Sequence, residues 1–192
     1  MNYVNILQSE KTISTKATNI IVILLASWLI GVSAQFSIVL PFSPIPITGQ
    51  TIIILMMGVL LGKERGTAAV GLYILQGVAG LPVFAGGKSG LLTLVGPTGG
   101  YLVGFLGAVY VVGILSELRH DNSISYTVFS LIIGNVIIYA FGLIWLVRFV
   151  GETQALSLGF FPFLVGDIVK IFIGVLVLTG SQKILSLVNT RM

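Results

Sequence analysis

Long apolar runs, with charge confined to the breaks between them, constrain this chain more than any motif does. Residues about 17–39, 49–62, 66–84, 99–115, 126–147 and 161–188 are almost wholly apolar. A helix needs about 20 such residues to cross the hydrocarbon core, so six crossings use about 120 residues. The remainder of the 192-residue chain is only enough for two tails and short loops. Alternation of period 2 is absent, which argues against a transmembrane barrel. Only 8% of the residues are charged, against about 25% in an ordinary soluble domain. A surface that poor in charge cannot face water, so the expected fold class is all-α: one polytopic membrane domain, residues 1–192, with six transmembrane helices.

The breaks also set an orientation. Lys11, Lys16, Lys63, Arg65, Arg119, Lys183 and Arg191 fall on one side of six spans, and Lys88 and Arg148 on the other. Under the positive-inside rule this bias predicts cytoplasmic N- and C-termini. Lys11 and Lys16, an apolar run and then Val32-Ser33-Ala34 also read as a cleaved secretory signal. Against that, the run continues through Ile38, Val39 and Leu40, and cleavage would leave five spans. No basic cluster tracks a phosphate backbone, so no nucleic-acid partner is expected. With no cysteine there are no disulfides, thiolate metal sites or Cys nucleophiles.

Two outward breaks are more than connectors. Pro41 to Gln50 holds three prolines, which prevent a helix and favour a stiff, extended segment. It serves either as a rigid link or as a preformed wall with Thr48 and Gln50 offering hydrogen bonds. Residues 80–100 contain seven glycines, dense enough for turns and close backbone approach. Its apolar residues, among them Phe84, Leu91 and Leu92, predict a segment that re-enters or covers the bundle as a lid. Gly87-Lys88-Ser89 is not a nucleotide loop, because Pro82 stands where the phosphate-cradling pattern needs its first Gly.

Charge inside a span is costly and marks function. Asp167 and Lys170 lie within the last apolar run, about 60° apart around a helix and so on one face. They form either a self-neutralising i,i+3 pair or two ends of a site bridged by an amide-like or urea-like group. Asn135 can donate and accept beside them, or hydrogen-bond between helices. Gln76, Tyr73 and Tyr101 are weaker polar candidates. His120 is an isolated histidine in a loop, and no nucleophile–base pair is readable in the spans, so no enzymatic machinery or cofactor is expected. Gly58, Gly62 and Gly66, and Gly100 and Gly104, recur every four residues and predict close helix packing or a partner-docking face.

Four ordered strings carry a family likeness: Pro44-Ile45-Pro46-Ile47-Thr48-Gly49-Gln50, Gly80-Leu81-Pro82-Val83-Phe84-Ala85-Gly86-Gly87, Gly96-Pro97-Thr98-Gly99-Gly100-Tyr101-Leu102, and Phe163-Leu164-Val165-Gly166-Asp167-Ile168-Val169-Lys170. From about residue 20 onward the chain closely resembles the BioY family, the biotin-specific substrate-binding subunits of energy-coupling-factor transporters. The resemblance implies a multi-pass cell-membrane subunit that captures biotin from outside. It implies as partners a transmembrane coupling protein and two ATPases, with biotin as the transported ligand. In that family the subunit is thought to topple within the membrane, carrying the site inward. Asp167 and Lys170 match the family's polar pair, implied to meet the ureido ring. The segment around Gly86, Gly87 and Lys88 would cover the ligand, with Lys88 near the carboxylate and Phe84 and Tyr101 flanking ring and tail. The two small residues by which related subunits dock on the coupling protein are not matched at Ala26 and Ile30; the nearest such pair is Ser27 and Gly31. The same architecture binding thiamin, an intramembrane enzyme and a self-sufficient carrier are the competing readings.

Overall fold

The computed structural model describes residues 15–118 and 123–189. Lys11, Arg119 and Arg191 of the charge count, and the isolated His120, lie outside the described residues. The elements run α1 (Thr15–Gln35), β1 (Ser37–Ile38), β2 (Ile47–Thr48), α2 (Gln50–Val78), a 3-10 turn (Ala85–Gly87), α3 (Leu91–Val95), α4 (Gly99–Leu118), α5 (Ile124–Val150), α6 (Glu152–Gly159) and α7 (Phe161–Asn189). Four helical stretches among the described residues are long and apolar enough to cross a membrane: Lys16–Gln35, Gly99–Leu118, Ile124–Val150 and Glu152–Leu178. Large apolar side chains cover their outer faces, including Trp28 on α1 and Val165, Ile168 and Phe172 on α7. Apolar surface so continuous suits lipid rather than water.

The second and third apolar runs form one hydrogen-bonded element, α2, that is broken at Gly62. There φ is 77° and ψ −178°, a backbone state that only glycine adopts readily. The break folds the helix on itself. Gln50 Nε2 donates to Tyr73 Oη, although 23 positions of straight helix would separate them by about 35 Å. Lys63, Glu64 and Arg65 mark the same place in sequence, so the expected division into two runs corresponds to two arms, residues 50–61 and 63–78. Helix α4 pins the turn: the Lys63 backbone N–H donates to Glu117 Oε1 at 2.9 Å, Lys63 Nζ pairs with Glu117 Oε2 at 3.3 Å, and Ser116 Oγ donates to the Val59 carbonyl at 2.8 Å.

Helix α4 is central because its small residues admit neighbours on both sides. A Cβ at Gly58 or Gly66 of α2 would come within about 3 Å of Val109, and one at Gly104 of α4 within 3.1 Å of Ile138 on α5. The glycine repeats therefore serve internal packing, not a partner face. Ser27 and Gly31 are also buried, with Gly31 against Val83. That pair presents no outward surface for docking.

Several boundaries differ from the sequence expectation. Helix α1 stops at Gln35, short of Val39, because Ser37 and Ile38 pair antiparallel with Thr48 and Ile47. The intervening proline segment is thus the loop of a two-residue ladder, anchored where Ser43 Oγ donates to the Leu158 carbonyl at 2.7 Å. Helix α2 stops at Val78, not at residue 84, since Gly80 takes φ 104° and turns the chain. Phe84 accordingly sits outside any span, its ring folded back on Tyr73 at 5.6 Å between centroids. The short helices α3 and α6 have no periodic run long enough to announce them.

At Gly113 an added Cβ would lie 2.4 Å from backbone atoms of Lys63. Gly113→Ala should therefore destabilise the protein by about 1–3 kcal/mol, whereas Gly166→Ala, with nothing within 4 Å, should change little. Thermal unfolding in detergent distinguishes them; equal melting temperatures would mean the α2 turn is not packed on α4 as described.

Candidate functional site

The site grows from the Asp167 carboxylate, buried in the second turn of α7. One oxygen accepts from Lys170 Nζ at 3.1 Å, the other from the Tyr139 hydroxyl of α5. Lys170 Nζ also donates to Thr51 Oγ1 at 3.1 Å, in the first turn of α2. An acid and an amine are thereby tolerated in an apolar helix: their charges cancel, and neutral hydroxyls take up further lone pairs and protons. Tyr139 is held edge-on against Phe160 at 4.8 Å, which fixes the direction from which its hydroxyl reaches the acid.

These four side chains line a cavity of about 730 Å³, counted with its open mouth. Apolar surface from Ile45, Pro46, Leu102, Phe105, Ile138 and Phe163 encloses most of it, and Thr93 and Thr98 add hydroxyls. Asn135, one helical turn before Tyr139, also lines it, and its buried Oδ1 has no hydrogen-bond partner. An unpartnered buried carbonyl is costly, and here it is an acceptor waiting for an N–H. Lys170, with three N–H donors, has used two of them. The arrangement can therefore take a neutral group that offers N–H to Asn135 and Asp167 and a carbonyl to Lys170. No group of His, Asp, Glu or Cys able to hold a metal occurs among the described residues.

Of the residues singled out in sequence, Thr48, Gln50, Tyr73, Phe84, Lys88, Tyr101, Asn135, Asp167 and Lys170 all line this cavity. Gln50 is committed to Tyr73, with Thr48 Oγ1 donating to Gln50 Oε1 at 3.4 Å. Tyr101 spends its hydroxyl on the Gly159 carbonyl at 2.9 Å, so it presents its ring and not its oxygen. Lys88 is exposed at the rim. Gly86 and Gly87 do not line the cavity; they form the exposed 3-10 turn beside it, with Phe84, Ala85 and Lys88 facing inward instead. Gln76 is also outside it, half-buried with an unpartnered Oε1. Sequence reasoning missed Tyr139 and Thr51. Tyr139 stands four residues after Asn135 on the same helix face, the one signal that could have found it.

A family model described as BioY matches residues 8–187. The biotin transporter BioY of Thermotoga maritima is 41% identical over 81% of this chain and 90% of its own length. The probable biotin transporter BioY of Pyrococcus horikoshii is 35% identical over 87% of this chain and 98% of its own. Among solved structures, the S-component for biotin from an ECF-type ABC transporter superposes with a TM-score of 0.78 at 27% identity, covering 90% of this chain and 94% of that one. These relatives are named as transporters, not enzymes.

The pairing of Asp167 with Lys170 is open to a double-mutant cycle. Asp167→Asn, Lys170→Met and the double variant, compared by thermal unfolding, should give a coupling of about 1–3 kcal/mol. Additive effects would show that the two side chains do not support each other.

Proposed function

This chain belongs to the BioY family, and we propose that it is the biotin-binding subunit of an energy-coupling-factor transporter. The observation that carries the reading is the cluster of Asp167, Lys170 and the unpartnered Asn135 carbonyl on one cavity wall. Biotin's ureido ring has two N–H donors and one carbonyl, is neutral, and meets all three needs. Its fused ring fits the apolar wall that includes Phe84 and Tyr101. Its carboxylate reaches the rim, where Lys88 is the complementary charge. Thr48 and Gln50 hold the extended segment that closes another side; Gly86 and Gly87 shape the turn that sets Phe84 and Lys88, and Tyr73 lines the cavity beside the Phe84 ring while Gln76 stays outside it.

The chain works as one membrane domain of six spans in the plasma membrane, with α2 supplying two through its arms. Lys63 and Arg65 mark the cytoplasmic end by their charge and Lys88 and Arg148 the outer end, so the cavity opens outward. Both termini are then cytoplasmic. Energy for inward delivery comes from partners, a transmembrane coupling protein and two ATPases, in keeping with a solved relative that is one component of an ECF-type ABC transporter.

Calorimetry on the detergent-solubilised protein tests the ligand. Submicromolar biotin binding is expected, and Asp167→Asn or Lys170→Ala should weaken it at least about tenfold, about 1.4 kcal/mol. Heat with thiamin and none with biotin would overturn the assignment, and wild-type affinity in both variants would make the pair purely structural.

A further inference from the structure

Residues 82–88 run from a buried cavity-lining ring, Phe84, to an exposed cavity-lining ammonium, Lys88, so this segment is the wall between cavity and exterior. Its own framework is slight: the Phe84 N–H donates to the Lys88 carbonyl at 3.0 Å and the Gly87 N–H to the Phe84 carbonyl at 3.1 Å. Gly80, Gly86, Gly87 and Gly90 all have positive φ, and nothing lies within 4 Å of where their Cβ atoms would be. No side chain crowds the backbone at these glycines, while Phe84, packed on Tyr73 and Gly77, and Val83, against Gly31, hold the first half of the segment in place.

One side chain from outside the segment hydrogen-bonds to its second half as well. Gln35, the last residue of α1, accepts from the Gly87 N–H at 3.0 Å through Oε1. Its Nε2 sits among the carbonyls of Phe84, Pro82 and Val83 at 3.3–3.4 Å, and is anchored to its own helix by the Gly31 carbonyl at 3.1 Å. Among the described residues, no other side chain from outside the segment hydrogen-bonds to residues 82–88. The primary amide suits the position because it is donor and acceptor at once: it reaches the Pro82 and Val83 carbonyls and shares the Gly87 N–H with the Phe84 carbonyl. Gln35 does not line the cavity.

We infer that Gln35 is a positioning residue, a latch whose amide holds the Phe84–Lys88 turn shut and thereby sets how fast ligand enters and leaves. The inference rests on the biotin reading above for its choice of ligand. Gln35 lies outside the cavity, so its bonds to the turn do not depend on whether a ligand fills it. Removing it lowers the barrier in both directions and leaves the equilibrium nearly in place. A residue that merely supported the fold would instead lower the melting temperature and weaken binding.

The test uses the full chain in detergent, with biotin as ligand and stopped-flow rates as the readout. Gln35→Leu should raise association and dissociation rates together, each about tenfold for the loss of about two net hydrogen bonds, while Kd stays within about threefold and the melting temperature falls by no more than a few degrees. Gln35→Glu, which sets an acceptor-only carboxylate oxygen against the carbonyls that Nε2 served, should accelerate both rates at least as much, and it serves alone if the leucine variant does not fold. Unchanged rates overturn the latch, as does weaker binding through faster dissociation alone with a lower melting temperature. If the wild type binds no biotin, the functional reading fails separately. Hydrogen exchange of the Gly87 and Phe84 amides then decides: faster exchange in the variant supports the latch, and unchanged exchange overturns it.

Discussion

An acid buried in an apolar helix dictates much of what surrounds it. Asp167 is bearable because Lys170 stands one turn on, and that pair in turn recruits Thr51 from α2 and Tyr139 from α5. Three helices converge on one ion pair. Desolvating either charge without the other is prohibitive, so the relative placement of these helices is constrained electrostatically as well as by packing. The cavity is the volume left between polar wall and apolar wall, and its chemistry is specific because the polar wall is small.

The opposite end of the bundle solves a different problem. Reversing a helix inside a compact bundle strands backbone groups, and α2 does so within a few residues of Gly62. Glu117 and Ser116 of α4 take up the Lys63 N–H and the Val59 carbonyl. Gly113 lets the helices come close enough for that to happen. With the turn fixed, the first-arm Gln50 and the second-arm Tyr73 meet at the cavity, so a turn remote from the site determines which side chains line it.

Much of this was legible from residue type. Asp167 and Lys170 stand out because charge is rare in an apolar run, and Lys63, Glu64 and Arg65 mark the α2 break for the same reason. A spacing of three left open a mutual pair or a bridged site; the two side chains pair with each other and also line the cavity. Tyr139 was not, since a tyrosine in an apolar helix is ordinary until a partner is known. The third apolar run reads too long, to Phe84, because hydropathy does not fall until well after Gly80 has turned the chain, although Phe84 also falls within the glycine-rich segment, where it lies. Gln35 was invisible: an amide at a helix end carries no mark of carbonyls 47–49 residues away. Hydropathy reports the medium around a residue, while such contacts depend on where distant backbone comes to rest.

The neutrality of the Asp167–Lys170 pair has an electrical consequence. Moving one elementary charge through 100 mV takes about 2.3 kcal/mol, enough to bias any reorientation of the subunit by voltage. Opposite charges carried on adjacent turns of one helix cancel that work for the empty site. Whatever voltage dependence a reorientation retains then comes from charges elsewhere, such as Lys88 at the rim, rather than from this buried pair.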